Sequence, residues 1–298
     1  MAVITISRGS FSGGEEVAAK VVQRLGYMMV SHEVISEASR KFQVSENKLE
    51  RAIHFAPSLF ERFFSGKQKY VACVAAATLA HFKNDNVVYD GLAGQFFARS
   101  VSPMTAKILA YFKNDNVVYS GFAEKYYSRT ISHLLNVRMT ANLEDRLRLL
   151  MKEKNLGREQ AMRVLKREDH QRNAWSRYFY GVDVTDDDLY DIVLQMSKMR
   201  VDDAVDLICE TVTKPRFKTS FESQQAIEGL ALAAEIKAAL YDDYPDCEVV
   251  ADRKSVEIYA RFTVHTDTTI ADKIKAKVLK MNGVSRVSVI LIPSVIFT

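Results

Sequence analysis

The sequence predicts an α/β protein: a parallel sheet covered by helices on both faces, followed by a smaller α-β-β-α-β unit. Three observations predict it. The chain opens as strand, glycine-containing loop and helix. Short β-branched runs then alternate with amphipathic stretches as far as about residue 212. Beyond a polar, proline-containing segment the pattern changes to one helix, two consecutive strands, a helix and a last strand. Strands separated by crossover helices pair in parallel, and the helices cover both faces of the sheet.

Val3 to Ser7 is a β-branched run with the character of a buried strand. The loop Arg8 to Gly14 follows, then a helix from Glu15 to Leu25 with Val17, Val21, Val22 and Leu25 on one face and Gly26 as its stop. Tyr27 to Val30 is a second strand, and a polar helix starts near His32. Further on, Leu135 to Thr140 is a strand and Leu143 to Lys154 a helix. Gly157 separates that helix from the next, Arg158 to about Tyr178. Asp191 to Met196 is a strand and Val201 to Val212 a closing helix. The expected division is a first domain over 1–213, a linker over 214–225 and a second domain over 226–298, with strands at Cys247–Ala251, Val256–Thr263 and Val284–Ile292. Val256, Ile258, Ala260 and Phe262 alternate, so one face of that strand is buried.

The middle of the chain holds a duplication, 73–102 followed by 103–132. Phe82–Tyr89 recurs without change as Phe112–Tyr119. Each copy has the pattern helix, Lys-Asn-Asp-Asn turn, strand, glycine, helix. Two copies are too few for a solenoid, so the duplication reads as one the fold tolerates rather than as a second site.

Composition excludes several classes. The 298 residues are 48% hydrophobic and 26% charged, which suits a globular chain with a real core. A net charge of +4 fits phosphate-bearing small molecules and lacks the dense basic stripe of a nucleic-acid binder. Three scattered cysteines, Cys73, Cys209 and Cys247, are expected as free thiols in a reducing compartment, and no Cys/His cluster or HExxH suggests a metal site. No signal peptide or membrane span is expected, so the expected location is cytoplasmic.

The loop Arg8-Gly9-Ser10-Phe11-Ser12-Gly13-Gly14-Glu15-Glu16 is the first candidate for chemistry. Amides at a helix start point outward and the macrodipole favours an anion there. The loop is not a full Walker A motif, because Gly14 stands where the lysine belongs and Glu15 and Glu16 follow. The alternative is an ordinary β–α turn with Ser12 as cap and two acids at the helix start. The arginines of the helix after Gly157 have two readings as well: phosphate ligands, or a solvated face with i,i+4 ion pairs.

Three stretches together resemble the cytidylate-kinase-like family: ITISRGSFSGGEEVAAKVVQRLG at the start, LNVRMTANLEDRLRL at Leu135–Leu149, and the run from Gly157 to Leu207 with Arg167, Asp169, Arg172, Tyr178–Asp183 and Leu189–Asp191. The resemblance implies a P-loop-type sheet with an arginine-bearing lid, and transfer of phosphoryl from ATP, with Mg²⁺, to CMP or a related nucleotide. It implies that Ser10, Ser12, Gly13, Gly14 and Glu16 hold ATP. It also implies that Arg167, Arg172 and Arg177 act from the lid with Asp169 orienting one of them, and that Arg8 partly replaces the missing lysine. Asp90 and Gly91 resemble the Asp-Gly that precedes a substrate arginine in the family, but Leu92 stands in the arginine's place and Ser120 replaces the Asp in the second copy. These departures leave open a catalytically inactive nucleotide sensor. The C-terminal unit resembles a BON domain, which implies a role in protein partnering or self-association.

Overall fold

The computed structural model describes residues 2–55, 67–90, 131–180, 183–262 and 269–293. Strand β1 (Val3–Arg8) leads through the loop to helix α1 (Gly14–Leu25), then β2 (Met28–Val30), α2 (Glu33–Phe42), α3 (Glu46–His54), α4 (Lys67–Phe82) and β3 (Val87–Asp90). After the duplicated region come β4 (Leu134–Thr140), α5 (Leu143–Lys154), α6 (Arg158–Tyr180), β5 (Ile192–Gln195) and α7 (Val201–Val212). Five strands form a parallel sheet in the order β2-β3-β1-β4-β5, with Val3 level with Val87 on one side and Leu134 on the other.

The alternation of β1 places its side chains on two cores. Val3 packs with Val34, Leu49, Val74 and Phe82 beneath α2, α3 and α4. Ile4 and Ile6 pack with Val17, Val21, Ala204 and Ile208 beneath α1 and α7. A strand buried on both faces carries apolar side chains on both, as in VITI here. β3 comes from the first copy of the duplication; residues 91–130, which include Gly91 and all but the last two residues of the second copy, lie outside the described residues.

The last part runs α8 (Phe221–Leu240), β6 (Glu248–Asp252), β7 (Ser255–Phe262), α9 (Ile270–Val278) and β8 (Arg286–Pro293). Its sheet has the order β6-β7-β8, antiparallel between β6 and β7 and parallel between β7 and β8. Helix α8 belongs to both cores: Ile227, Ala231 and Ala238 pack against the α4 layer, and Ala233, Ile236 and Leu240 against the small sheet. The segment expected as a linker is docked. Pro215–Phe217 is a 3-10 turn whose Phe217 is buried in the core under α7, and Ser220 caps α8 by accepting from the Ser223 amide at 3.2 Å. Thr219 and Gln224 reach the turn before β3, at Asp85 and at the Lys83 carbonyl, both at 2.8 Å. No helix among the described residues is long and apolar enough to cross a membrane.

Gly229 fixes the spacing between α8 and β6, because a Cβ there would lie 2.4 Å from the Ala251 carbonyl oxygen. Backbone on backbone cannot yield as a side-chain tip does. Gly229→Ala is expected to destabilise the chain by about 2 kcal/mol, lowering its melting temperature by about 4–8 °C. A melting curve unchanged from the parent would contradict that packing.

Candidate functional site

The site lies at the carboxyl ends of β1 and β4, where a parallel sheet opens its crevice. The turn out of β1 is tight. Gly9 N–H bonds the Met139 carbonyl at 3.0 Å, and Ser12 returns both its N–H (3.3 Å) and its hydroxyl (2.8 Å) to the Gly9 carbonyl. Ser12 is thus buried and locks the turn. It is not the cap expected as an alternative, for the N-cap of α1 is Gly13, in the left-handed region at φ 77°, with no side-chain cap. A helix start leaves its first amides without partners inside the helix. Among the described residues, no group outside α1 accepts from the amides of Gly13, Gly14, Glu15 or Glu16.

Gly14 explains the absent lysine. A Cβ there would sit 3.0 Å from both Cβ and Cδ of Arg8 and 3.4 Å from Met139 Sδ. Arg8 lies across the glycine, in the space a side chain at 14 would take. Its Nε stands 2.9 Å from Asp90 Oδ1 and its Nη1 3.4 Å from Glu15 Oε2. The Asp90 contact is ionic but off the hydrogen-bond line, so that buried oxygen has no donor among the described residues.

Burial pushes the Asp90 carboxyl up from its ordinary 3.8, against the opposing charge of Arg8. A carboxyl raised on folding contributes stability while it is protonated, below its unfolded value, and loses that contribution as pH rises through the folded value. Asp90→Asn is therefore expected to raise the melting temperature relative to the parent at pH 8, with the gain shrinking toward pH 4. An equal gain at both pH values would contradict the assignment.

Two further arginines grip the loop from opposite helices. Arg146 of α5 donates from Nε to the Ser10 carbonyl at 2.7 Å and holds Asp169 of α6 through both terminal nitrogens, at 3.0 and 2.7 Å. Arg172 of α6 donates to the Arg8 carbonyl and, at 3.1 Å, to the Ser10 hydroxyl. Its Nε is buried with no acceptor among the described residues, and burial pushes its guanidinium down, partly offset by Asp169. Arg172 is a desolvated cation with an unused donor.

Beside the loop a cleft of about 810 Å³ opens, and Arg8, Arg138, Arg146, Arg172 and Arg177 all line it. Arg138 projects from β4 to the Thr185 carbonyl (3.0 Å) and Asp187 (2.8 Å). Arg177 pairs with Asp183, whose carboxyl is held far below its usual range by Thr185 and then by Arg177. α6 is fixed by Trp175, buried at 1% exposure, whose indole N–H donates to the Ala52 carbonyl of α3 at 2.7 Å. Phe179 and Tyr180 lie against that indole at 5.2 and 5.5 Å between ring centres, so these aromatics pack the helix.

Of the predicted lid residues, Asp169, Arg172 and Arg177 line the cleft. Arg167 is exposed and outside it. Asp169 holds Arg146, not one of the three arginines expected from α6. Gly91 lies outside the described residues. Sequence reasoning missed Arg138 and Arg146, although both broke a rule. A charge inside a parallel strand is out of place, and an arginine in the first turns of a helix opposes the macrodipole.

A model of the cytidylate kinase-like family matches residues 3–198. No curated protein matches the chain. Among solved structures, an uncharacterized protein from Eubacterium ventriosum is similar at 15% identity and TM-score 0.44, covering 71% of this chain and 98% of that one. Shikimate kinase from Bacteroides thetaiotaomicron is similar at 10% identity and TM-score 0.37, covering 72% and 99%. Deoxyadenosine kinase from M. mycoides with bound dATP is similar at 16% identity and TM-score 0.33, covering 71% and 100%.

Proposed function

Because the chain belongs to the cytidylate kinase-like family, we propose that it binds ATP at the start of α1 and transfers its terminal phosphoryl group to CMP or a related nucleoside monophosphate. The observation that carries the reading is Arg172, a buried guanidinium with an unused Nε that holds the turn leading to the uncapped start of α1, at the Arg8 carbonyl and the Ser10 hydroxyl. Amides at a helix start and planar guanidinium groups are the donors a polyphosphate requires.

In this reading an oxygen of the monophosphate forms a bond to the γ-phosphorus, the bond from that phosphorus to the β–γ bridging oxygen breaks, and ADP leaves. The transfer asks for alignment and charge neutralisation more than covalent help from the protein. Arg172 and Arg177 are the cations on the α6 side, Arg8 takes the lysine's part, and Arg146 with Asp169 holds the loop for them. When bound with ATP, Mg²⁺ would supply charge neutralisation at the phosphates. Among the described residues no group of three carboxylate, histidine or cysteine side chains forms a resident metal site.

One observation favours a second reading, a nucleotide sensor without turnover. Arg8 is already paired with Asp90 and Glu15, and its side chain crowds the place where a Cβ at position 14 would start. The C-terminal unit, read as BON-like, then serves as the output, through a protein partner or a second copy. The test is a thermal shift with Mg-ATP followed by an ADP-release assay with CMP and other monophosphates. Stabilisation with ADP release that depends on the monophosphate supports the kinase, stabilisation alone supports the sensor, and neither removes both.

A further inference from the structure

The arginines of the cleft are not equally committed. Arg8 pairs with Asp90 and Glu15, Arg146 with Asp169, Arg177 with Asp183 and Arg138 with Asp187. Asp90 is nearly buried, and Asp169 holds its arginine through both oxygens from within α6, so neither acid is readily displaced. The Arg138 pair is different. The arginine is drawn into the cleft, its side chain 19% exposed, while its acid stands outside at 70%. One nitrogen, Nη1, makes both bonds of Arg138, to Asp187 and to the Thr185 carbonyl. Among the described residues, Nε and Nη2 have no hydrogen-bond partner.

The place of Arg138 follows from β4. Val137 and Met139 are buried in the core beneath α1 and α7, and alternation sends the side chain between them to the opposite face, where the cleft lies. Arg138 is level with Ser7, one residue before the end of β1. The ring centre of Tyr190 lies 5.7 Å from its guanidinium carbon. Asp187, in contrast, rides on a strap between two anchors. Val184 and Leu189 are buried, and residues 185–188 between them, Thr-Asp-Asp-Asp, are exposed. The Tyr190 hydroxyl donates to the Val184 carbonyl at 3.1 Å, and Asp186 accepts from the Asp188 amide at 3.1 Å, so the strap keeps its own shape. Arg138 ties its exposed middle to β4.

We propose that Arg138 binds the phosphate of the acceptor nucleotide, and that Asp187 holds its place in the empty cleft and leaves when that phosphate arrives. The inference rests on the reading of the cleft as the acceptor's site. An ion pair with an exposed carboxylate contributes little, so giving it up costs little. A phosphate brings more charge and more acceptor oxygens than a carboxylate, and it engages the guanidinium fork along two nitrogens where Asp187 uses one. The strap thereby sets a threshold. A nucleoside monophosphate displaces Asp187, whereas the corresponding nucleoside has no anion with which to compete. Arg138 reads the phosphate, and Asp187 excludes ligands without one.

Titration calorimetry of the full chain with CMP and with inorganic phosphate tests this. Asp187→Asn alters an exposed side chain and keeps its shape. It is expected to bind both probes about fivefold more tightly than the parent. Arg138→Ala is expected to bind both about tenfold or more weakly, and Arg138→Lys recovers part of that loss. Adding Asp187→Asn to Arg138→Ala changes nothing further, because the acid acts through that arginine. Unchanged or weaker phosphate binding by Asp187→Asn overturns the proposal. So does tightening that survives in the double variant, or no binding of either probe by any of these chains. Mg-ATP titrated into the same samples separates this inference from the wider reading. If the parent does not bind Mg-ATP the kinase reading fails, while tighter phosphate binding by Asp187→Asn still supports the exchange at Arg138.

Discussion

Replacing Gly13 by aspartate is expected to weaken binding of Mg-ATP by about 100-fold or more, while asparagine at the same position weakens it little. The two side chains have nearly the same shape, and a Cβ at Gly13 meets nothing within 4 Å, so neither is sterically excluded from the structure. Both face the same backbone cost at φ 77°, which asparagine and aspartate accept better than other residues. The difference between them is one negative charge at the mouth of the uncapped helix start. A fixed charge within about 4 Å of a polyphosphate repels it by several kcal/mol at an effective dielectric constant near 20. Titration calorimetry of the two variants reads that difference directly. Equal affinities for ATP would show that the phosphates do not lie at the start of α1.

Truncating Arg172 to alanine is expected to lower kcat/KM by about 100-fold or more, with a change in unfolding free energy of no more than about 2 kcal/mol. The asymmetry follows from the residue's situation. Its bonds to the Arg8 carbonyl and the Ser10 hydroxyl stabilise the loop, but its guanidinium is desolvated and its Nε has no acceptor. Removing a poorly solvated cation relieves part of what its bonds contributed. In the proposed reading the phosphates lie in the cleft that Arg172 lines, so the loss falls on the liganded state. Arg172→Lys keeps the charge without the planar fork and is expected to recover only part of the rate. If the chain is a sensor without turnover, the same pair of variants is read as ATP affinity. A variant that melts at a much lower temperature yet binds and turns over normally below it would assign Arg172 a structural role only.

Much of this architecture was legible because its signals are local. A β-branched run before a glycine loop, and valines at helical spacing after it, place β1 and α1 whatever the rest of the chain does. The same holds for the alternation that buries Val256, Ile258 and Ala260 of β7 in the small core. The docking of α8 was less legible. Its helical character is plain, but its apolar residues surround the axis, and only the fold separates Ile227 and Ala231 from Ile236 and Leu240. The site was legible as a region and not as a set of side chains. Arg167 and Arg172 both lie on α6, five residues apart, and which of them turns inward depends on the helix's rotation, fixed by Trp175 against Ala52, a partner distant in sequence. Arg146 was hidden because its role is to hold another segment's carbonyl, a partnership that no spacing in the sequence records. Nor does a sequence show that Arg8 and Gly14, on either side of the turn, share one space.

Hydrogen–deuterium exchange of the full chain, with and without Mg-ATP, addresses the loop's amides themselves. The account predicts slowed exchange in a peptide spanning residues 9–16, together with slowed exchange in the part of α6 around Arg172. Binding of Mg-ATP that leaves the 9–16 amides exchanging as they do in the free protein would contradict it.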